Sequence, residues 1–129
     1  MSSALLDTSF VVDPPGEGID LPEQCAISSM TIAELHKGVL VAATEAEREA
    51  RVALLAEVEA RFSSLSLDTS AARVLGRYMA DAKRRRQRTG ERLRVRDAII
   101  AATAEANALT VYTRDDEFRR FGSPCVVVG

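Results

Sequence analysis

The sequence predicts an α/β fold of three layers, in which a central parallel sheet of four or five short strands carries helices on both faces. The first observation is that short apolar segments alternate with longer segments whose apolar residues recur every three or four positions. Strands that alternate with helices indicate parallel pairing through right-handed crossovers. The second observation is that 129 residues with 47% apolar side chains suit one compact unit. We therefore predict that residues 1–129 form a single domain.

The first half of the chain is expected to supply two strands and two helices. Asp7 ends the first apolar run, and Pro14-Pro15-Gly16 marks a loop. Thr31 and Glu34 have the spacing of a capping box at the head of a helix. The predicted elements are, in order, a strand at 3–7, a short turn or helical stretch, a strand at 25–28, a helix from about 31 to 43 and an amphipathic helix at 45–62.

The second half is expected to supply two helices and two strands. Apolar residues recur with helical spacing from Ser70 to Ala82, and Thr89-Gly90 ends that helix. A run of small residues after Asp97 indicates a buried helix that ends near Asn107, a suitable cap. The remaining predictions are an isolated extended piece at 65–68, a strand at 108–112, a turn into a short helical stretch at 113–118 and a last strand at 125–128.

Composition excludes several classes of protein. No uninterrupted apolar run exceeds five residues, which argues against a membrane span and a secretory signal, so we expect a cytoplasmic protein. Cys25 and Cys125 lack a CxxC pattern and His36 is the one histidine, so zinc sites built on thiols or imidazoles have no support. Aspartate and glutamate remain as plentiful ligands, and oxygen ligands favour Mg²⁺ or Mn²⁺.

A basic strip runs from Lys83 to Arg96. It contains eight basic residues and one acid, Glu91, whereas the whole chain carries a net charge of −2. Such a strip attracts phosphate groups without regard to base sequence. A solvated helix end would have the same composition, so the strip alone does not decide between the two interpretations.

Four carboxylates are expected at one edge of the predicted sheet. Asp7 and Asp115 come directly after strands. Glu34 lies in the first turns of a helix that follows a strand, and Asp97 opens another helix. The carboxyl ends of parallel strands share an edge, and ligands bind there at the point where the winding direction reverses. We therefore expect the four side chains to converge.

Each of these acids also has a local structural interpretation. Asp7 could form a turn at the strand exit, and Glu34 could close the capping box. Asp97 could complement the helix dipole, and Asp115 could cap a helix. Carboxylates about 4 Å apart, however, repel by about 4 kcal/mol at an effective dielectric of about 20. A converged group must therefore take up protons or hold cations, and near pH 7 a divalent metal is the better solution.

The four acids lie in four short segments, which are, in chain order, Leu5-Leu-Asp7-Thr-Ser9, Ser28-Ser-Met-Thr-Ile-Ala-Glu34-Leu, Arg96-Asp97-Ala-Ile-Ile-Ala-Ala and Thr113-Arg-Asp115-Asp-Glu-Phe118. Together these segments resemble the motifs of PIN-domain ribonucleases. Their order and the chain length also resemble VapC toxins of type II toxin–antitoxin modules, over nearly the whole chain. The resemblance implies a PIN fold and cleavage of RNA by a Mg²⁺- or Mn²⁺-dependent endonuclease.

The resemblance also implies roles for particular residues. The catalytic and metal-binding acids would be Asp7, Glu34, Asp97 and Asp115. Because Asp115, Asp116 and Glu117 are adjacent, any of them could be the fourth ligand, and we favour Asp115, then Glu117. The supporting residues would be the small hydroxyl residues beside the acids, Thr8, Ser9 and Thr113.

The implied mechanism needs no side-chain nucleophile. Asp7 and Asp97 would bind one Mg²⁺ directly, and Glu34 and Asp115 would help through water, so that the ion activates the attacking water. The RNA backbone would lie on the basic strip, chiefly on Lys83, Arg84, Arg85, Arg86 and Arg88. The implied partners are a VapB-type antitoxin that masks the acidic groove and a second copy of the chain, as a homodimer that can pair again when the antitoxin is bound.

Two other functions remain open from the residues alone. A binding module could hold RNA on the basic strip without cutting it, and RNA would then stay intact in Mg²⁺. A phosphatase could form an aspartyl-phosphate on Asp7, as in haloacid-dehalogenase-like enzymes. Those enzymes carry a second aspartate two positions later, where this chain has Ser9.

Overall fold

The computed structural model describes residues 3–14 and 20–128. The strands in these residues are β1 (Ser3–Leu6), β2 (Gln24–Ser28), β3 (Ser63–Leu65), β4 (Thr110–Thr113) and β5 (Cys125–Val127). The α-helices are α1 (Thr8–Val12), α2 (Ser29–Leu40), α3 (Glu45–Arg61), α4 (Thr69–Thr89) and α5 (Val95–Ala106). A 3₁₀ helix, Asp116–Arg120, lies between β4 and β5.

The strands form one parallel sheet in the order β3-β2-β1-β4-β5. In the central strand β1, Leu5 pairs in register with Ala26 of β2 and Val111 of β4. The chain builds outward from β1 to β3 and then returns to the other side of β1, so its winding direction reverses between β1 and β4. The predicted α/β class and parallel sheet are confirmed, and the reversal marks the edge at which a site is expected.

Helices cover both faces of the sheet and complete the three predicted layers. The side chains of β1 alternate between the two cores: Leu5 packs with α4 and α5, whereas Ala4 and Leu6 pack with α1, α2 and α3. Phe118 of the 3₁₀ helix is buried in the first core and Phe10 of α1 in the second. Because both faces are covered, residues 4–6 of β1 are all apolar and buried, and the polar residue Ser3 stands only at the start of the strand.

The small residues of α5 allow this helix to pack closely on the sheet, and this packing fixes the position of its first turn. Four fully buried alanines lie on this helix with Ile100, and they are Ala98, Ala101, Ala102 and Ala104. Without long side chains the helix can pack closely against the sheet, and it leads into β4 through Asn107, the predicted cap. The helix runs antiparallel to the strands, so its N-terminal turn lies at their carboxyl edge.

The start of α2 differs from the prediction. The capping box predicted at Thr31 and Glu34 is wrong, because α2 begins at Ser29 and the Ser28 hydroxyl accepts a hydrogen bond of 3.0 Å from the Met30 amide. The strand therefore passes directly into the helix, which ends at Leu40 rather than near residue 43. Thr31 and Glu34 are three positions apart inside the helix and lie on the same face.

Two further predictions are corrected or limited by the structure. The extended piece predicted at 65–68 is not isolated, because β3 pairs with β2 as the edge of the sheet. Asp68 instead caps α4, accepting a hydrogen bond of 2.9 Å from the Ala71 amide. The end of α4 is as predicted, with Gly90 in the left-handed conformation at φ 76°. The loop predicted at Pro14-Pro15-Gly16 falls largely outside the described residues.

The structure also shows the state of the two cysteines and the character of the helices, which concern the thiol-based zinc sites and the membrane spans considered above. Cys25 and Cys125 are both free and half-buried, and burial raises the pKa of the Cys25 thiol. Within residues 3–14 and 20–128, no helix combines the length and the apolar character needed to cross a membrane.

Candidate active site

Four acidic side chains meet at the carboxyl edge of the sheet, and we call them the acidic pocket: Asp7, Glu34, Asp97 and Asp115. Asp7 follows β1 and Asp115 lies just beyond β4, the two strands that flank the reversal. Glu34 lies on α2, and Asp97 lies in the first turn of α5, which begins two residues earlier than predicted. The charges of the other three acids all act on Asp97. A cavity of about 240 Å³ opens beside it, lined by residues 94–97.

Asp7 is the most enclosed acid of the pocket, with 7% of its surface exposed. Its Oδ1 accepts a hydrogen bond of 2.8 Å from the Thr8 amide, so Asp7 also caps α1. Its Oδ2 accepts hydrogen bonds from the hydroxyls of Ser9, at 2.9 Å, and Thr113, at 2.8 Å. These three donors fix the orientation of the carboxylate.

Hydroxyl groups connect the acids to one another. The Thr113 hydroxyl donates to Asp7 and accepts a hydrogen bond of 2.9 Å from the Asp115 amide. The Thr8 hydroxyl donates to Glu34 Oε1 at 3.0 Å, and it also lies 3.0 Å from the Thr31 hydroxyl. The ends of β1 and β4 and the first turns of α2 are therefore joined. Each hydroxyl residue predicted to support the site contacts at least one acid.

Two arginines at the start of α5 face the acidic pocket. Arg94 Nη1 donates to Asp115 Oδ2 at 2.9 Å, and Arg94 Nε lies 3.3 Å from Asp97 Oδ2. Arg96 Nη1 lies 3.5 Å from Glu34 Oε2. The pKa of Arg94 is raised, mainly by the negative charge of Asp97. Three of the four acids thus lie against an arginine.

Asp97 is the acid least satisfied by its surroundings. Its side chain is 19% exposed, and its buried Oδ2 has no hydrogen-bond partner among residues 3–14 and 20–128, because the nearby Arg94 N–H does not point at it. Burial raises the pKa of Asp97, and the charges of the other three acids raise it further, whereas Arg94 lowers it. A buried carboxylate oxygen without a donor is destabilising, and a cation placed beside it would remove that cost.

The structure separates the three adjacent acids of the fourth motif. Asp115 faces Arg94 and caps the 3₁₀ helix, accepting a hydrogen bond of 2.9 Å from the Glu117 amide. The side chain of Asp116 is 81% exposed and pairs with Arg119. The Glu117 carboxylate turns to Arg120, at 2.9 Å. Asp115 is therefore the member of this group that belongs to the acidic pocket.

The chain matches a family of known proteins. The PIN domain family matches residues 4–124, which is nearly the whole chain. The chain belongs to the PIN family. The resemblance predicted from the four motifs is confirmed at this level.

Individual relatives agree with the PIN assignment. Ribonuclease VapC5 of Mycobacterium tuberculosis is 38% identical over 124 residues, which cover 91% of this chain and 86% of that protein. Ribonuclease VapC8 of the same species is 40% identical over 103 residues, covering 78% and 89%. A crystal structure of VapBC-5 from M. tuberculosis, a member of the VapBC family of toxin–antitoxin systems, superposes with a TM-score of 0.78 at 34% identity, covering 99% of this chain and 98% of that one. DNA-bound VapBC from Salmonella typhimurium gives 0.75 at 26% identity, covering 98% of each chain.

The acidic pocket of this PIN domain suits a hard divalent cation by its chemistry. Its oxygen ligands are those preferred by Mg²⁺ and Mn²⁺, and the unpartnered oxygen of Asp97 supplies a free ligand atom. As the side chains stand, however, no three acidic, histidine or cysteine residues in the described part of the chain are grouped so as to hold a metal ion. The ion pairs of Arg94 with Asp97 and Asp115, and of Arg96 with Glu34, would have to open for these acids to gather around a cation.

The basic strip of the PIN domain lies beside the acidic pocket, on the last turns of α4 and the segment that follows. The five residues predicted to bind RNA all lie on α4: Lys83, Arg84, Arg85, Arg86 and Arg88. Arg84 donates to Asp81 at 2.8 Å. Arg85 lines a small cavity with Arg92, Arg94 and Arg120, and so connects the strip to the pocket.

Sequence reasoning missed three residues that shape the PIN site. The sequence analysis places Arg94 only in the basic strip, and Arg96 only in that strip and the third motif, and it gives neither a role beside the acids. Arg94 and Asp97 nevertheless have the i,i+3 spacing of a helical ion pair. Thr31 was assigned to a cap, but its hydroxyl faces Thr8. The i,i+3 relation between Thr31 and Glu34 could have indicated their shared face if α2 had been started at Ser29.

Proposed function

We propose that this chain is an endoribonuclease of the VapC kind, the toxin of a type II toxin–antitoxin system, and that it hydrolyses RNA phosphodiester bonds with Mg²⁺ or Mn²⁺. The single observation that carries the proposal is the acidic pocket, in which acids from four segments meet and a buried oxygen of Asp97 lacks a partner. The relatives named Ribonuclease VapC5 and VapC8 support the reaction class.

In this proposal Asp7 and Asp97 hold the cation directly, and Glu34 and Asp115 hold it through water. Asp7 is oriented for this by its three hydrogen-bond donors, and Asp97 by its position in the first turn of α5. When bound, a divalent cation supplies Lewis-acid polarisation of the scissile phosphate and lowers the pKa of the attacking water.

The hydroxyl groups of the pocket position the acids and do not act as nucleophiles. The hydroxyls of Ser9 and Thr113 both donate to Asp7 and orient its carboxylate, and a cation that activates water needs no covalent intermediate on either hydroxyl. His36, the one histidine, is exposed on α2 two positions from Glu34, and such a residue points away from it. Water is therefore the nucleophile that these residues favour.

The function is tested by incubating the purified protein with total RNA, in Mg²⁺ and in excess EDTA, and mapping the new ends. We expect discrete cleavage sites with Mg²⁺, none with EDTA, and recovery of cleavage when Mg²⁺ or Mn²⁺ is restored. Intact RNA under all these conditions, together with measurable RNA binding, would favour the non-catalytic binding module instead. Cleavage that persists in EDTA would contradict the metal-dependent mechanism.

The basic strip is proposed to hold the RNA backbone. Each phosphate contact to a single strand changes the slope of log K against log salt by about 0.7, so three lost contacts should flatten it by about 2. We expect this flattening, with weaker binding at low salt, for a triple alanine variant of Arg84, Arg85 and Arg86. The measurement is RNA binding by anisotropy at several salt concentrations.

A matched control removes the same charge from the opposite face of the sheet. The triple alanine variant on α3 changes Arg48, Arg51 and Arg61. If both triple variants flatten the slope equally, the effect is one of net charge, and the basic strip has no special role in RNA binding.

The proposed partners are a VapB-type antitoxin, RNA and a second copy of the chain, in the cytoplasm. The structures of VapBC-5 and of DNA-bound VapBC support the antitoxin. A largely apolar groove of about 190 Å³ between α1 and α3, lined by Phe10, Val11, Leu54 and Val58 among others, offers a surface for it. Homodimers, and pairs of dimers bound to antitoxin, are the assemblies we propose.

A further inference from the structure

Arg94 bridges two acids of the pocket that are far apart in sequence. Its Nη1 donates to Asp115 Oδ2 at 2.9 Å, and its Nε lies 3.3 Å from Asp97 Oδ2. Asp115 lies beyond β4, whereas Asp97 lies in α5, so one guanidinium spans the end of a strand and the start of a helix. Its positive charge lies among the carboxylates that the proposed function assigns to a cation.

We propose that Arg94 is a resident countercation, a positioning residue that holds Asp97 and Asp115 in the metal-free protein and must release them before a divalent cation can bind. This inference rests on the metal site of the proposed function and adds a competition between that metal and a side chain of the same protein. Arg94 therefore lowers the affinity of the pocket for metal and supports the pocket when metal is absent.

The contact of Arg94 with Asp97 is suited to release. The N–H of Arg94 does not point at Asp97 Oδ2, and within the described part of the chain this buried oxygen has no hydrogen-bond partner. A better ligand for that oxygen can therefore displace the arginine. The Arg94 side chain is 54% exposed, so it can move into solvent without disturbing the core.

The backbone at Arg94 does not require the side chain to stay where it is. Arg94 is the N-cap residue of α5, and its side chain makes no capping hydrogen bond. The helix would therefore keep its start when the guanidinium leaves. While the guanidinium of Arg94 remains between Asp97 and Asp115, both carboxylates are oriented toward it. This agrees with the absence, in the described residues, of any three acidic, histidine or cysteine side chains grouped so as to hold a metal ion.

The test is a calorimetric titration of Mn²⁺ into protein that has been stripped of metal with EDTA and then freed of EDTA. No RNA is present. Arg94→Gln removes the charge and keeps a polar side chain, and we expect it to bind Mn²⁺ about tenfold more tightly than wild type, because one positive charge no longer opposes the ion. The matched control is Arg48→Gln, which removes an exposed arginine whose partner is Glu45 on α3. We expect its Mn²⁺ affinity to equal that of wild type.

Thermal melting gives a second readout that does not depend on activity. In EDTA, Arg94→Gln should melt below wild type, because the acids lose their countercation. On addition of saturating Mn²⁺ its melting temperature should rise by more than that of wild type, since tighter binding to the folded state stabilises it more. Arg48→Gln should show the same rise as wild type.

The outcomes separate this inference from the proposed function. Equal or weaker Mn²⁺ binding by Arg94→Gln would overturn the role of Arg94 while leaving the metal site in place. If neither wild type nor either variant binds Mn²⁺, both the metal site and the inference built on it are wrong. Tighter binding by Arg48→Gln as well would show a general effect of net charge and would also overturn the inference.

Discussion

Asp97→Asn should lower the rate of RNA cleavage in Mg²⁺ by about 100-fold or more, because it removes one of the two carboxylates proposed to hold the cation directly. The same change should leave the metal-free protein folded and more stable. Asp97 Oδ2 is buried without a hydrogen-bond partner, so the neutral amide relieves the burial of a charge. Cleavage of a defined RNA and thermal melting in EDTA measure the two effects.

The stabilisation by Asp97→Asn should depend on pH. Burial, reinforced by the other acids, raises the pKa of Asp97 in the folded protein. Between the unfolded value of about 3.9 and that raised value, the folded state binds more protons than the unfolded state. The contribution of Asp97 to the free energy of unfolding of the wild type therefore falls as pH rises through that window. The asparagine variant has no titrating group at this position, so its free energy of unfolding does not fall in this way. In EDTA, Asp97→Asn should therefore become more stable than wild type as pH rises above about 4, and the difference should persist at neutral pH.

Glu45→Gln is the control for Asp97→Asn, because it removes one negative charge from a side chain that is 72% exposed on α3. Its cleavage rate and its melting temperature should equal those of wild type. Cleavage by Asp97→Asn at the wild-type rate would remove Asp97 from the active site. A melting temperature in EDTA that falls below wild type would mean that the charge of Asp97 stabilises the fold.

The sequence was sufficient to predict a parallel sheet and the convergence of the acids, although not the order of the strands or the pairing of β3. Both depend on features that are local in sequence: apolar runs such as β1, and acids such as Asp7 placed at the ends of such runs. Parallel pairing then brings the carboxyl ends together whatever the exact boundaries are. An error of two residues in the start of α5 did not move Asp97 out of its first turn.

The partners of the acids could not be predicted in the same way. Arg94 meets Asp115 across 21 residues, and Arg96 meets Glu34 from a different helix. Such contacts depend on the tertiary arrangement and on which side of α5 faces the sheet. The start of α2 was missed for a different reason: Ser28 is both the last residue of β2 and the cap of α2, so a strand and a helix share a boundary that carries no loop signal.

Asp7→Asn should also abolish cleavage in Mg²⁺, but it should destabilise the protein, in contrast with the same substitution at Asp97. Asp7 accepts three hydrogen bonds, from the Thr8 amide and from the hydroxyls of Ser9 and Thr113. An asparagine has one oxygen and one NH₂ group, so at least one of the present donors would face another donor. Hydrogen bonds to charged groups contribute about 1.5–3 kcal/mol each, so we expect a loss of about 3 kcal/mol.

A loss of that size should lower the melting temperature in EDTA by about 10 °C for a chain of this length. Asp97→Asn is the matched control, since the chemical change, the pocket and the loss of cleavage are the same and the surroundings of the carboxylate differ. If the two variants shift the melting temperature in the same direction, the donors around Asp7 and the orphaned oxygen of Asp97 do not decide stability. Opposite shifts would mean that the pocket contains one acid that the fold stabilises and one that only a cation can satisfy.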